Sequence, residues 1–176
     1  MNRFAIVLSL SLFALPVLAQ GAKPDDSMKD CPMHDQHAAH RAVVEGHGDQ
    51  AMGFPHDKTT HHFRMMGDGG TIEVTANDAK DKINTKAIRS HLTHIAIMFG
   101  AGDFSAPMFV HDGVPPGVTT MKLMKSAIHY TYEKTPAGGI IRVKSDDPIA
   151  VAAIHDFLRF QITEHQTGDP LEIAQK

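Results

Sequence analysis

His91, His94 and Met98 follow one another at i, i+3 and i+7, and Met108 and His111 come after a short break. On a helix of 3.6 residues per turn the first three fall within an arc of about 60°, on one face. Imidazole nitrogens and thioether sulfurs bind transition metals. Thioether favours copper(I), and copper also heads the affinity order for divalent ions at nitrogen sites. The chemistry on offer is therefore metal binding, with copper first and zinc or non-covalent haem as alternatives. No CxxCH attaches a haem, and no HExxH marks a zinc hydrolase. A catalytic zinc would need three protein ligands, an open position and a nearby base, for which Asp103 and Asp112 are the neighbours in sequence. The competing reading is structural: histidines that edge a core, satisfied by backbone groups.

The expected ligand set is His91, His94 and His111, completed by His61 and by Met98 or Met108. A second ligand-rich tract lies between residues 20 and 56, where Cys31, Met33, His34, His37, His40, His47, Met52 and His56 stand in a polar stretch without apolar periodicity. Such tracts bind metals without a packed core, so this segment reads as a flexible arm, with a transient helix at most over 35–45. A single cysteine excludes an internal disulfide.

The elements that must position these side chains come from a repeat. HHFRMMGDGGTIEVTAND (61–78) aligns with YTYEKTPAGGIIRVKSDD (130–147), setting Phe63 on Tyr132, Gly69-Gly70 on Gly138-Gly139 and Val74 on Val143. After three skipped residues Ile88 falls on Ile154, Leu92 on Leu158, and Gly102-Asp103 on Gly168-Asp169. Alternation at Phe63, Met65, Ile72 and Val74, and at Tyr130, Tyr132, Ile141 and Val143, predicts strands with one buried face. Their glycine pairs read as hairpin turns. Asn77-Asp78 and Asp146-Asp147-Pro148 read as helix starts. Ile88, Leu92, Ile95 and Phe99 form one helical stripe, and Ile154, Phe157, Leu158 and Ile162 the other. A short middle helix is expected over 119–126. The fold class is α+β: a four-stranded antiparallel sheet from a duplicated strand-strand-helix unit, helices on one face.

In this alignment His91, His94 and Met98 occupy the places of Phe157, Phe160 and Glu164. At the first two, polar ligands stand where the sister unit accepts bulk hydrocarbon. His61 shares strand parity with Phe63 and faces the helix layer, while His62 points away. His155 and His129 are expected at the surface. His165 sits at a helix C-terminus, where a charged imidazole complements the dipole, and Met121 and Met124 read as core.

Residues 1–19 carry the compartment signal: Arg3, an apolar run from Phe4 to Leu18 and the small-residue site Val17-Leu18-Ala19. Cleavage removes 19 of 176 residues and leaves 157, enough for one domain with a core. The 17 basic residues less Arg3 then face 20 acidic ones, a balance of −4 that argues against nucleic acid. The organisation expected is a signal peptide (1–19), an arm (20–56), the duplicated domain (57–170) and a tail (171–176), in the periplasm or secreted, with no membrane span after cleavage.

MGFPHDKTTHHFRMMGDGGTIEV, IRSHLTHIAIMFGAGDFSAPMFVHDGVPPGV and AIHDFLRFQITEHQTGD together resemble a family of small exported bacterial proteins. The resemblance covers Met52 to about Pro170. Some members carry the name aspartate carbamoyltransferase. That activity needs two nucleotide-fold-like domains and a carbamoyl-phosphate loop of the STRTR type. This chain has neither the length nor the loop, and Arg64, Arg89, Arg142 and Arg159 lie on different elements. The resemblance implies a shared fold and a shared site around His61, His62, His91 and His111. The function expected from the sequence is copper sequestration or transfer, the partners being the metal ion and another metal-handling envelope protein. The alternatives are a metal-dependent hydrolase or oxidase on the same histidines, and a metal-free module for a small ligand or partner.

Overall fold

The computed structural model describes residues 32–174. The expected signal segment and Cys31 lie outside them. The elements run α1 (Pro32–Met52), β1 (Thr59–Met66), β2 (Gly69–Ala76), α2 (Lys82–Ala101), α3 (Ser105–Val110), α4 (Val118–Leu123), β3 (His129–Lys134), β4 (Gly138–Lys144) and α5 (Pro148–Glu164). Short 3-10 turns at His56–Lys58 and Lys125–Ala127 lead into β1 and β3.

The sheet is four-stranded and antiparallel throughout, in the order β1-β2-β4-β3. The duplication is visible in its register. Phe63 pairs with Ile72 in the first hairpin, and the aligned Tyr132 pairs with Ile141 in the second. Between hairpins, Ile72 pairs with Ile141, its own equivalent. An approximate two-fold axis therefore passes through this isoleucine pair. Each helix lies mainly over the other unit's strands: α5 over β1 and β2, and α2 chiefly over β3 and β4. Alternation puts Phe63, Met65, Val74, Ile141 and Val143 on the helix side, each at most 3% exposed. They meet Ile88 and Leu92 of α2 and Ile154 and Leu158 of α5, all buried in one cluster.

Several local expectations change. Residues 32–52 form a regular helix packed against α3 and α2, where a flexible arm was expected. Its seat on the fold comes from a few anchors: Val44 and Gly48 are buried, and His47 stacks on Phe109 at 4.6 Å. Helix α2 starts at Lys82, with Asp81 as cap accepting from the Asn84 N–H, rather than at Asn77-Asp78. At α5 the predicted cap holds, Asp147 accepting from Ile149 and Ala150 with Pro148 at the first helical position. The middle helix ends at Leu123, and the lone turn of α3 comes in addition.

The paired glycines prove to be needed for close approach more than for turning. A Cβ on Gly138 would lie 1.9 Å from the Val74 carbonyl oxygen, and one on Gly70 2.3 Å from that of Arg64. Of the four, Gly69 has positive φ, at 137°. His155, expected at the surface, is 6% exposed, its Nε2 2.8 Å from the Met66 carbonyl and 3.0 Å from that of Gly69. It ties α5 to the first hairpin. The tail returns along the outer edge of β1: Asp169 accepts from the Phe63 N–H at 2.9 Å, and Ala174 N–H donates to the Met65 carbonyl. An edge strand is thereby covered.

Candidate functional site

A cavity of about 480 Å³ opens between α1, β1, α2, α3 and the last turn of α5. Its floor is hydrocarbon, from Ile72 and Val74 of the sheet, Leu92 and Phe99 of α2, and Phe157 of α5. Imidazoles from four elements stand around it: His61, His91, His111 and His165, with His56 from the turn before β1. Strand parity turns His61 inward with Phe63. His91 sits beside the buried stripe of Ile88, Leu92, Ile95 and Phe99. His111 caps the C-terminus of α3 and His165 that of α5, so both rings come from helix ends that border the same space.

The rings are close together. His165 stacks on His61 with centroids 6.0 Å apart, lies 5.9 Å from Phe63 and meets His111 edge-on at 5.2 Å. His111 also meets Phe160 edge-on at 4.8 Å, and His91 meets Phe54 at 5.7 Å. The His111 side chain is 3% exposed. Its Nε2 lies 3.4 Å from Gln161 Nε2, while its Nδ1 has no hydrogen-bond partner among the described residues and stands 3.9 Å from Glu164 Oε2. Glu164 in turn meets His40 Nε2 of α1 at 2.8 Å.

Burial decides the charge state. Desolvation first, then the His91, His62 and His56 rings, push His61 down to about 4. Desolvation and then His94 lower His91 to about 4 as well. Burial also depresses His111, against the upward pull of Gln161 and Glu164, and depresses His165, helped by His61 and His111. At neutral pH these rings are uncharged, each with one N–H and one free lone pair.

The sequence-predicted ligands separate. His61, His91 and His111 share the cavity. His94 is exposed and borders a shallow surface groove with Arg89 and Tyr132. It lies one helical step outside the stripe: 60° is enough to cross from cavity to solvent. Met98 and Met108 are half-buried outside the cavity wall, whereas Met52 of α1 lines it. His62 points away from the helix layer to Asp169 Oδ1 at 2.9 Å. His40 reaches the cavity's edge through Glu164, and His34 and His37 lie on α1 with side chains outside the described residues. Among the described residues no group of three or more His, Cys, Asp or Glu side chains is placed to hold a metal ion.

His165, Gln161 and Glu164 were not foreseen as site residues. The repeat carried a signal for one of them: His165 aligns with Phe99, just as His61 aligns with Tyr130. No known protein family, curated protein or solved structure matches the chain.

Proposed function

We propose that this chain is a ligand-binding protein of the cell envelope or exterior, holding a small, largely apolar molecule in the cavity beneath α1. The observation that carries the reading is the cavity itself. Its volume of about 480 Å³ is within the range of small-molecule sites, roughly 300–1,000 Å³, which combine apolar walls with a few polar groups. The polar groups are imidazoles converging from separate elements, neutral at physiological pH and packed around hydrocarbon. The export signal read in residues 1–19 supports the location. Native mass spectrometry of the full chain purified from its own envelope tests it: a non-covalent organic adduct is expected. Its absence, together with no shift of the Leu92 and Val74 methyl resonances under apolar fragments at millimolar concentration, refutes the reading.

A second reading, transition-metal and above all copper handling, has one observation in its favour. The uncharged His165 ring lies 6.0 Å from that of His61 and 5.2 Å from that of His111, centroid to centroid, which brings three potential nitrogen ligands to one side of the cavity. Elemental analysis of the purified chain, with and without His111→Ala and His165→Ala, distinguishes it: bound copper that both substitutions remove supports it, and a metal-free chain sinks it.

A further inference from the structure

We infer that the outer edge of β3 takes up an extended, acidic segment of a partner protein as a fifth strand of the sheet. β3 lies outside the cavity wall, so this surface is separate from the ligand site. The two hairpins share one register, with Phe63 on Ile72 and Tyr132 on Ile141, so β1 and β3 turn equivalent backbone groups outward. On β1 those groups are taken: Asp169 of the tail accepts from the Phe63 N–H, and the Ala174 N–H donates to the Met65 carbonyl. Their images on β3 are the Tyr132 N–H and the Lys134 carbonyl. β3 is the last strand of the sheet, and among the described residues nothing beyond it bonds to either group. The segment that corresponds to the tail goes elsewhere. Asp103, aligned with Asp169, accepts from the Ser105 N–H, and the chain enters α3. One edge of the sheet thus holds an irregular segment carrying Asp169 and Glu172, and the other edge repeats its geometry with an open row of backbone groups, the template for strand addition.

The groove beside this edge selects the partner's charge. Tyr132 and Lys134 point to the helix side, where they line a shallow groove with Lys86, Arg89 and Ile97 of α2. Its three cations form no ion pair among the described residues. Arg89 donates to the Thr135, Pro136 and Gly138 carbonyls, which holds its charge at the Lys134 end of the groove. Ile97, 66% exposed, supplies hydrocarbon toward the other end. Side chains of an added strand alternate, so every second one faces this groove: acidic beside Lys86 and Lys134, apolar beside Ile97. A second copy of this chain would bring the same cations against these, which disfavours it as the occupant.

The test uses the isotope-labelled full chain and two peptides, acetyl-TVTVTETE-amide and its lysine counterpart acetyl-TVTVTKTK-amide. In the free chain the Tyr130, Tyr132 and Lys134 amides should exchange rapidly with solvent, while those of Thr131 and Glu133 are protected. The glutamate peptide should shift the three edge amides, slow their exchange, and bind about tenfold more tightly than the lysine peptide at low salt. Lys86→Glu with Lys134→Glu, both at exposed positions, should reverse that preference. Equal binding of the two peptides, shifts without slowed exchange at the edge, or no binding at millimolar concentration overturns the inference. Protection of the three amides in the peptide-free chain overturns it as well: protection lost on dilution assigns the edge to a second copy, and protection that persists assigns it to another segment of the same chain.

Discussion

Acidification from pH 7 to pH 5 should weaken this fold through His61. The ring lies beside Phe63 and His165, with the His91, His62 and His56 rings near enough to bear on its charge. Its value falls to about 4 in the fold, against 6.5 in the free chain. The unfolded chain therefore takes up a proton through pH 6.5 that the folded chain refuses until near pH 4. Where the unfolded state binds more protons, stability falls as pH falls. For these two values the loss between pH 7 and pH 5 is about 2 kcal/mol, from about 1.4 kcal/mol per pH unit of separation. His61 is partly exposed, and solvent screening makes that an upper figure. With a urea slope of roughly 1–3 kcal/mol per molar, His61 alone should lower the midpoint by about 1 M. The carboxylates held low, at Asp81, Asp103 and Asp169, lose their contribution only below the ordinary carboxylate range, so they do not act in this window. Urea unfolding of the wild type and of His61→Phe at pH 7, 6 and 5 reads the effect. The variant should lose about 2 kcal/mol less than the wild type across that interval, the residual slope coming from His91 and its neighbours. A wild type equally stable at pH 7 and pH 5, or a variant with an unchanged slope, refutes the reasoning.

Two further perturbations probe the frame. Gly117 has φ 79°, and a Cβ there would stand 2.0 Å from the Ala153 carbonyl oxygen, so Gly117→Ala should cost at least about 2 kcal/mol in thermal unfolding. Asp147→Ala removes the acceptor for the Ile149 and Ala150 N–H groups and should cost about 1 kcal/mol in urea unfolding, with the second helix of the repeat fraying from its start.

The sheet was legible because alternation and repetition are properties of the chain itself. Phe63, Ile72, Tyr132 and Ile141 each stand where period two puts them, and the two hairpins share one register. The Asp147-Pro148 start was legible for the same local reason. What escaped depends on distant partners. His155 looks like a surface residue until the two carbonyls of the first hairpin, from Met66 and Gly69, reach it. The helix over 32–52 escaped because its apolar residues follow no steady period; it is seated by single contacts such as His47 on Phe109. His94 was grouped with His91 because an arc of 60° reads as one face, but the border between cavity and solvent falls inside that arc.

The approximate two-fold explains why the site lies where it does. It carries His61 onto Tyr130 and His165 onto Phe99. The first pair stacks at 6.0 Å, and its image, Phe99 against Tyr130, meets edge-on at 5.9 Å. The two ends of the helix layer are thus built on one plan with different side chains. At the Tyr130 end, Phe104 stacks on Phe99 at 4.4 Å and fills the space with hydrocarbon, leaving the Tyr130 hydroxyl buried without a partner among the described residues and its ionisation pushed up by burial. At the His61 end the equivalent positions carry imidazole, and α1 and α3 arch over the gap between them. The repeated plan offers two places for a core, of which one is packed with hydrocarbon and the other is hollow. If that is the origin of the cavity, His61→Tyr with His165→Phe should close it from within. The double variant should then gain resistance to acid, because two depressed imidazoles are gone, and lose its capacity for apolar ligands. A double variant that still binds apolar fragments as tightly as the wild type would show that these two positions do not shape the cavity.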